Sequence, residues 1–169
     1  MISHLDHLTL AGSESVYENL LGRRAVDGRL QTGNVGLTFG SGGAALSAMV
    51  FATPALDKAA NLLERRAVPT TRGAMLDLST TATHGVPIAL VERSARPAPS
   101  PAIVDDAAAV SALDHVVVRT TNPERAIAFY AGRLGLDLRL DRSNPQWGSR
   151  LLFFRCDDLV VEIAHDLKR

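Results

Sequence analysis

Cysteine and an excess of either charge are scarce in this sequence. Its 169 residues include one cysteine, Cys156, which excludes an internal disulfide and favours a reducing compartment. Lysine plus arginine and aspartate plus glutamate both number 18, and no run of basic residues exceeds two. The charge pattern therefore favours neither nucleic acid nor an acidic membrane surface as a partner.

Long hydrophobic runs are missing as well. The chain does not begin with a charged and then apolar segment, and it has no stretch of about 18 apolar residues. We therefore expect a cytoplasmic protein without a membrane span. The 46% apolar content is that of an ordinary globular protein, and the length allows one large or two small domains. Cys156 ends the strand-like run LLFFRC, so we expect a buried, unreactive thiol.

A repeat organises the first half of the chain. The segments NLLGRRAV at 19–26 and NLLERRAV at 61–68 differ at one position, and each ends a helix-like segment that follows an apolar, strand-like one. The repeat predicts two related units. The first has a strand at 5–10, a helix opened by Ser13 or Ser15, and strands within 29–39. The second has a strand at 46–52, a helix capped by Thr53-Pro54 that ends near Val68, and strands near 74–78 and 86–92. The glycine-rich FGSGG at 39–43 is interpreted as a hairpin or inter-module turn.

A third unit occupies the last part of the chain. A strand-like run contains His115, a helix signal begins at Asn122-Pro123, Gly135 stops the helix, and three strand-like runs follow, the last with Glu162. This order predicts a β-α-β-β-β module. The proline-rich segment before it reads as an extended spacer between packed bodies. We expect an N-terminal domain of two short modules at 1–93, a Pro/Ala-rich linker at 94–110 and a single module at 111–169.

The third unit resembles a known family. The segment LDHVVVRTTNPERAIAFYAGRLGLDL, followed by strands ending in VVEIA, is similar to a βαβββ module of the vicinal oxygen chelate superfamily. That superfamily includes glyoxalase I, fosfomycin and bleomycin resistance proteins, methylmalonyl-CoA epimerases and extradiol dioxygenases. The resemblance implies an α+β fold of repeated βαβββ modules that form cupped mixed sheets.

The same resemblance implies a metal site. His115 on the first strand and Glu162 on the last match the positions that commonly hold a divalent metal in the family, and Glu162 is the expected catalytic carboxylate. Imidazole and carboxylate ligands suit Fe, Mn, Ni, Zn or Co, and a bound metal acts as a Lewis acid on a chelated substrate. A histidine and a carboxylate in apolar strands could also form an ordinary core pair that needs no metal.

The two N-terminal units fit the family pattern less completely. The sequence LDHLTL places His7 where LDHVVV places His115, so His7 is a third candidate metal ligand. The second unit has Ala48 at the histidine position and Ala89 at the position of Glu162. We therefore expect these two units to form a scaffold or a degenerate pocket.

An odd number of modules leaves one apolar sheet face and one strand edge exposed. Three arrangements would cover them. The third module could pair with a second copy in a homodimer, so that His115 and Glu162 of both chains converge on one metal. It could instead pair with the first module, which would join His7 to His115 and Glu162, or the chain could be a fragment of a four-module protein.

Other polar residues are candidates for a substrate pocket. Gln146, Trp147 and Arg150 precede the third strand of the last unit, where Trp147 and Arg150 could stack on and pair with an aromatic or carboxylated ligand. A tryptophan that only covers the sheet edge is the alternative. His84 lies in a turn-like segment and is expected to be exposed. Strand alternation puts His165 on the sheet face opposite Glu162.

These observations lead to two functional hypotheses. The first is a metal-dependent lyase, isomerase or dioxygenase that acts on a small oxygen-rich or aromatic compound with two adjacent oxygens. The second is a metal-free small-molecule binding protein of the bleomycin-resistance kind, which sequesters its ligand in a dimeric cup. Both rest mainly on the family resemblance.

Overall fold

The computed structural model describes residues 1–40 and 46–168, and these form two mixed β-sheets with three short helices. The elements run in the order β1 His4–Ala11, α1 Glu14–Leu21, β2 Arg29–Gln31, β3 Gly36–Gly40, β4 Leu46–Thr53, α2 Leu56–Arg65, β5 Thr70–Arg72, β6 Leu76–Leu78, β7 Ile88–Glu92, β8 His115–Thr120, α3 Pro123–Ile127, a π-helical segment Ala128–Arg133, β9 Asp137–Asn144, β10 Ser149–Cys156 and β11 Leu159–Asp166. The predicted α+β class with cupped mixed sheets is confirmed.

The N-terminal sheet combines the two units that the repeat predicted. Its strand order is β2-β3-β1-β4-β7-β6-β5. Within each unit the first strand is parallel to the last, β1 to β3 and β4 to β7. The two units join through their first strands, which run antiparallel. Both edges of β1 and of β4 are therefore occupied, and the third module does not pair with the first.

The C-terminal sheet contains the third unit alone. Its strand order is β8-β11-β10-β9, and β8 is parallel to β11. The outer edge of β8 pairs with no strand in the described part of the chain. This edge corresponds to the edges through which β1 and β4 join. The third unit therefore has the connection point of a paired module, and no strand of the described residues occupies it.

Helix α3 begins as its sequence predicts. The Asn122 side chain accepts a hydrogen bond from the Arg125 backbone N–H at 3.0 Å, and a proline occupies the first turn. The helix then widens into the π-helical segment, which the sequence did not predict. Phe129 and Tyr130 in that segment are buried, and the Tyr130 ring lies 5.5 Å from the Phe154 ring of β10. The helix thus covers one face of the C-terminal sheet.

The start of α2 differs from the prediction. Thr53 was expected to cap the helix, but β4 runs through Thr53, and the helix begins at Leu56. The Leu56 backbone N–H donates to Glu92 Oε2 at 2.9 Å, so a carboxylate from β7 satisfies the helix end. Local sequence could not show this because the acceptor comes from 36 residues away.

Other differences are smaller. The short strand β5 was not predicted. Of the predicted turn at 39–43, the first two residues belong to β3, and residues 41–45 lie outside the described part of the chain.

Residues 94–110 do not hold the two sheets apart as a free spacer. Ser100 and Gln31 exchange two hydrogen bonds of 2.8 Å, and the buried Arg23 guanidinium donates to the backbone oxygens of Ser100 and Val110. This segment therefore lies against the first module along the edge of β2. Arg23 thus binds carbonyl groups from both ends of the segment.

Direct contacts also connect the two sheets. Arg66 Nη1 donates to the Arg133 backbone oxygen at 2.6 Å, and the Asn34 amide donates to the Leu113 oxygen at 2.7 Å. Arg96 pairs with Asp158 at 2.9 Å in the turn between β10 and β11.

The single cysteine is buried, as predicted, and burial raises the pKa of Cys156 to about 12. Among the described residues, no helix combines the length and the apolar character that crossing a membrane requires.

Candidate functional site

One face of the C-terminal sheet is open. Val116 of β8 and Val161 of β11 are buried on the helix side of the sheet. His115, Val117 and Glu162 alternate with them and lie on the other side, because successive side chains of a strand point to opposite faces. We call this second side the open face.

Glu162 lies in the middle of the open face. The register places it between Val117 of β8 and Phe153 of β10, so both of its cross-strand neighbours are apolar. It is partly buried, and it makes no hydrogen bond or ion pair with any described residue. A partly desolvated carboxylate without a partner stabilises the fold little, because nothing compensates for its lost hydration. Its oxygens are available to a cation.

His115 lies beside Glu162 with one ring nitrogen already engaged. Its Nδ1 is 2.9 Å from Asp114 Oδ2, and the carboxylate accepts, so Nδ1 carries the proton. Nε2 remains as the free acceptor, as in metal sites where a carboxylate orients the ligating imidazole. His115 is opposite Val160, two residues before Glu162 on the adjacent strand. These two residues fit a divalent metal ion as a partial ligand set.

His7 occupies a comparable position in the other sheet. Its Nδ1 lies 2.7 Å from Asp6 Oδ2, which repeats the arrangement of Asp114 and His115. The described residues contain no group of three or more His, Cys, Asp or Glu side chains arranged to hold a metal. Within one chain, His7 therefore does not complete a triad with His115 and Glu162.

The centre of the N-terminal sheet contains a buried ion cluster. The Asp6 carboxylate contacts Arg29 Nη1 at 2.8 Å and Arg93 Nε at 2.5 Å, and it has no exposed side-chain surface. Burial alone would raise the pKa of Asp6, but hydrogen bonds from His7 and Arg29 and the charge of Arg93 outweigh it and hold the pKa well below its usual range. The cluster leaves His7 near a guanidinium, with its Nδ1 3.5 Å from Arg29 Nη1, which disfavours a metal cation there.

The strand registers show what replaces Glu162 in the N-terminal units. Glu162 is opposite Val117, and Val117 follows His115 by two residues on β8. In the first unit, Thr38 is opposite Thr9, two residues after His7, and their hydroxyls are 3.0 Å apart. In the second unit, Ala89 is opposite Val50, two residues after Ala48. Neither N-terminal unit therefore has a carboxylate at this position.

The three predicted substrate-binding residues are not on the open face together. Arg150 lies on the helix side of β10, where it makes two bonds of 2.7 and 2.8 Å to Asp141 and one of 2.6 Å to Glu124. Gln146 and Trp147 lie in the turn between β9 and β10, and Trp147 is 72% exposed. Arg150 is thus committed to ion pairs that tie α3 to the sheet.

A cleft between the second and third modules was not predicted. Residues from the turn at 79–86, the end of β8, the start of α3 and the end of β11 line it. It includes His84, which is exposed as expected. It also includes His165, which lies on the sheet face that Glu162 does not occupy, as expected. No local sequence signal connects residues 80–85 with residues 119–125, because tertiary packing alone brings them together.

Comparison with known proteins identifies the third module. Residues 112–167 match the family model of the Glyoxalase/Bleomycin resistance protein/Dioxygenase superfamily. The third module belongs to this superfamily. The resemblance predicted from the segments LDHVVV and VVEIA is thereby confirmed. None of the curated proteins matches the chain by sequence.

Solved structures extend the similarity in fold to nearly the whole chain. The chain is similar to BphC, a halotolerant catechol dioxygenase, with a TM-score of 0.70 and 12% identity over 98% of this chain and 65% of that one. For a 2,2',3-trihydroxybiphenyl 1,2-dioxygenase from dibenzofuran-degrading Sphingomonas wittichii, the TM-score is 0.67 and the identity is 18%, over 98% of this chain and 68% of that one. For a catechol 2,3-dioxygenase, the TM-score is 0.70 and the identity is 18%, over 96% of this chain and 70% of that one. The chain thus spans about two thirds of the length of these dioxygenases, and at these identities the likeness concerns the fold.

Proposed function

We propose that the third module supplies half of a divalent-metal site and that a second copy of the chain supplies the other half. The observation that carries this proposal is Glu162, a partly buried carboxylate with no partner among the described residues, beside the oriented imidazole of His115. Two ligands are too few for a stable site, since such metals take four to six. The free edge of β8 gives the place where further ligands would arrive.

The pairing of β1 with β4 serves as the template for this contact. There His7 is opposite Val50, and Thr9 is opposite Ala48. His115 corresponds to His7 and to Ala48, and Val117 corresponds to Thr9 and to Val50. An antiparallel pair of β8 strands in the same register would set His115 of each copy opposite Val117 of the other. Two imidazoles and two carboxylates would then meet across a two-fold axis.

This assembly would be a metal-dependent lyase, isomerase or dioxygenase for a small oxygen-rich or aromatic compound. The bound ion would supply Lewis-acid chemistry to two adjacent oxygens of the substrate. His115 and Glu162 would hold it, and the apolar side chains of Val117, Leu140 and Phe153 would surround the rest of the ligand and limit access of water. The fold likeness to catechol dioxygenases supports an aromatic compound as substrate.

Solution mass and metal content, measured on one purified sample, test the proposal. We expect twice the chain mass of 18.0 kDa and one metal per pair, removable by EDTA. His115→Ala and Glu162→Gln should each abolish metal binding, and both variants should still form the dimer. Glu64→Gln, at an exposed carboxylate of α2, is the matched control and should bind normally.

Each part of the proposal can fail separately. A monomer that binds metal through His115 and Glu162 would contradict the role of the second copy. A dimer without metal would contradict the metal site. Val117→Lys, which sets two cations near each other across the expected contact, should give a monomer with much weaker metal binding.

The second candidate is a metal-free binding protein. The apolar surroundings of Glu162 favour it, because Val117 and Leu140 are each 46% exposed on the open face and could pack on an aromatic ligand without any metal. A metal-free dimer that binds catechol or a related aromatic compound with unchanged affinity in Glu162→Gln would support this candidate over the enzyme.

A further inference from the structure

A polar cleft of about 820 Å³ lies between the second and third modules. Its size is that of a small-molecule site, for which about 300 to 1,000 Å³ is usual. Arg119, Arg125 and Asp166 are among the residues that line it, and the other lining residues are threonines, histidines, Asn122 and Gly85. Neither His115 nor Glu162 lines the cleft.

A buried threonine hydroxyl braces the wall from the second module. Thr83 is buried, and its hydroxyl donates to the Val86 oxygen at 2.5 Å and lies 3.3 Å from the Thr80 oxygen. These contacts hold His84 at a φ of 61°, a left-handed conformation that is unfavourable for a residue with a side chain. Backbone strain of this kind persists only where the surrounding structure enforces it, and it is frequent at ligand sites.

Two imidazoles in the cleft have opposite proton arrangements. Arg125 Nη2 donates to His84 Nδ1 at 2.5 Å, so the proton of a neutral His84 is on Nε2. His165 Nδ1 lies 3.1 Å from the Thr120 backbone oxygen, which can only accept, so the proton of His165 is on Nδ1 and its Nε2 is an acceptor. The ring nitrogens that remain for a ligand are one donor and one acceptor.

The arginines differ in their engagement. Arg125 is oriented by its bond to His84. Arg119 is exposed and has no hydrogen-bond or ion-pair partner among the described residues. Two arginines that line one cleft, one of them without a partner among the described residues, are suited to a carboxylate, which arginine binds through two parallel hydrogen bonds.

We propose that this cleft binds a small organic acid, with Arg119 and Arg125 on its carboxylate groups and His84 and His165 on neighbouring polar groups. The site exists only where the second and third modules meet. Its occupation would therefore also join the two sheets more firmly, because the ligand would contact both.

Titration of the full chain with malonate tests the proposal. Calorimetry should show saturable binding of one malonate per chain, and the imidazole signals of His84 and His165 should shift in nuclear magnetic resonance spectra. Arg119→Gln should weaken binding by about tenfold or more, the loss expected for one charged hydrogen-bond pair. This variant removes no contact within the described chain, so a folding defect would not explain the loss. Arg125→Gln should have at least the same effect.

Arg142→Gln is the matched control, since Arg142 is an exposed arginine of β9 that does not line this cleft and has no partner among the described residues. Its affinity for malonate should be unchanged. The proposal is overturned if no binding is detected at about 10 mM malonate, a concentration comparable to the dissociation constants of the weakest specific complexes. Equal weakening by Arg142→Gln, or binding of inorganic phosphate in place of malonate, would overturn the assignment to a carboxylate.

Discussion

The two sheets use the same three positions in opposite ways. Across the centre of the third module the register places Glu162, which has no partner among the described residues, between the apolar Phe153 and Val117. Across the first module the equivalent positions are Arg29, Thr38 and Thr9. There the threonine hydroxyls bond to each other, and Arg29 pairs with Asp6.

The difference shows how a repeated module can be assigned to stability or to binding. The N-terminal pair has closed its sheet through β1 and β4 and has filled its centre with an ion cluster of Asp6 and two arginines. Among the described residues, nothing pairs with the outer edge of β8 in the third module or with its Glu162 carboxylate. Stability in the first case and a free ligand position in the second come from side chains at matching register positions on a shared backbone frame.

Removal of Asp6 should have the largest effect on this comparison. Asp6→Asn leaves Arg29 and Arg93 without their carboxylate, and loss of one partner from a buried pair costs about 3 to 5 kcal/mol. Urea denaturation measures the loss. Asp77→Asn, at an exposed carboxylate of the same sheet, is the control and should change little.

The pH dependence of stability follows from the same carboxylate. The pKa of Asp6 is held below its ordinary value of 3.8, so its contribution is fully present above that pH and is lost as the pH falls towards the lower folded-state pKa. Wild type should therefore lose stability in acid more steeply than Asp6→Asn. Parallel acid profiles would contradict the role given to the cluster.

A smaller disturbance is expected from Gly36→Ala. A Cβ at this position would collide with the Arg29 guanidinium, which lies over the glycine on its way to Asp6. Arg29 would have to move and weaken its bond, and overpacking of this kind costs about 1 to 3 kcal/mol. Chemical denaturation should show a loss below that of Asp6→Asn. If Arg29→Ala suppresses the effect in the double variant, the collision is its cause.

Loss of the α3 cap should affect only the third module. Asn122→Ala removes the acceptor for the Arg125 N–H and should destabilise by about 1 kcal/mol. Hydrogen exchange should show a loss of amide protection in α3 and not in α2, because the first N–H of α2 is bonded to Glu92. Asn122→Asp keeps an acceptor and should restore protection.

Glu162→Gln should have the smallest effect on stability. The wild-type carboxylate has no partner among the described residues, so the neutral amide should leave stability unchanged or raise it by less than about 1 kcal/mol. Metal-free protein should be used for the denaturation. A clear loss of stability would mean that Glu162 supports the fold, and the contrast with Asp6 would no longer hold.

Much of the fold could be predicted because local patterns were sufficient. The repeat around the two NLL segments located α1 and α2, and Asn122-Pro123 located the start of α3. The strand alternation placed His165 and Glu162 on opposite faces. The cap of α2 by Glu92 and the ion pairs of Arg150 could not be predicted, because each joins residues from separate elements.

The sequence by itself determined the three modules and the positions of His115 and Glu162 on their strands. It also determined that the second module has Ala89 in place of the carboxylate of Glu162. These features depend on periodicity and on alignment of one unit with another. Only the tertiary structure decided that the first two modules pair with each other, that Asp6 and its arginines fill their centre, and that a polar cleft forms between the second and third modules. Those outcomes depend on which strand edges meet and on side-chain contacts between residues far apart in the chain, and no local pattern encodes them.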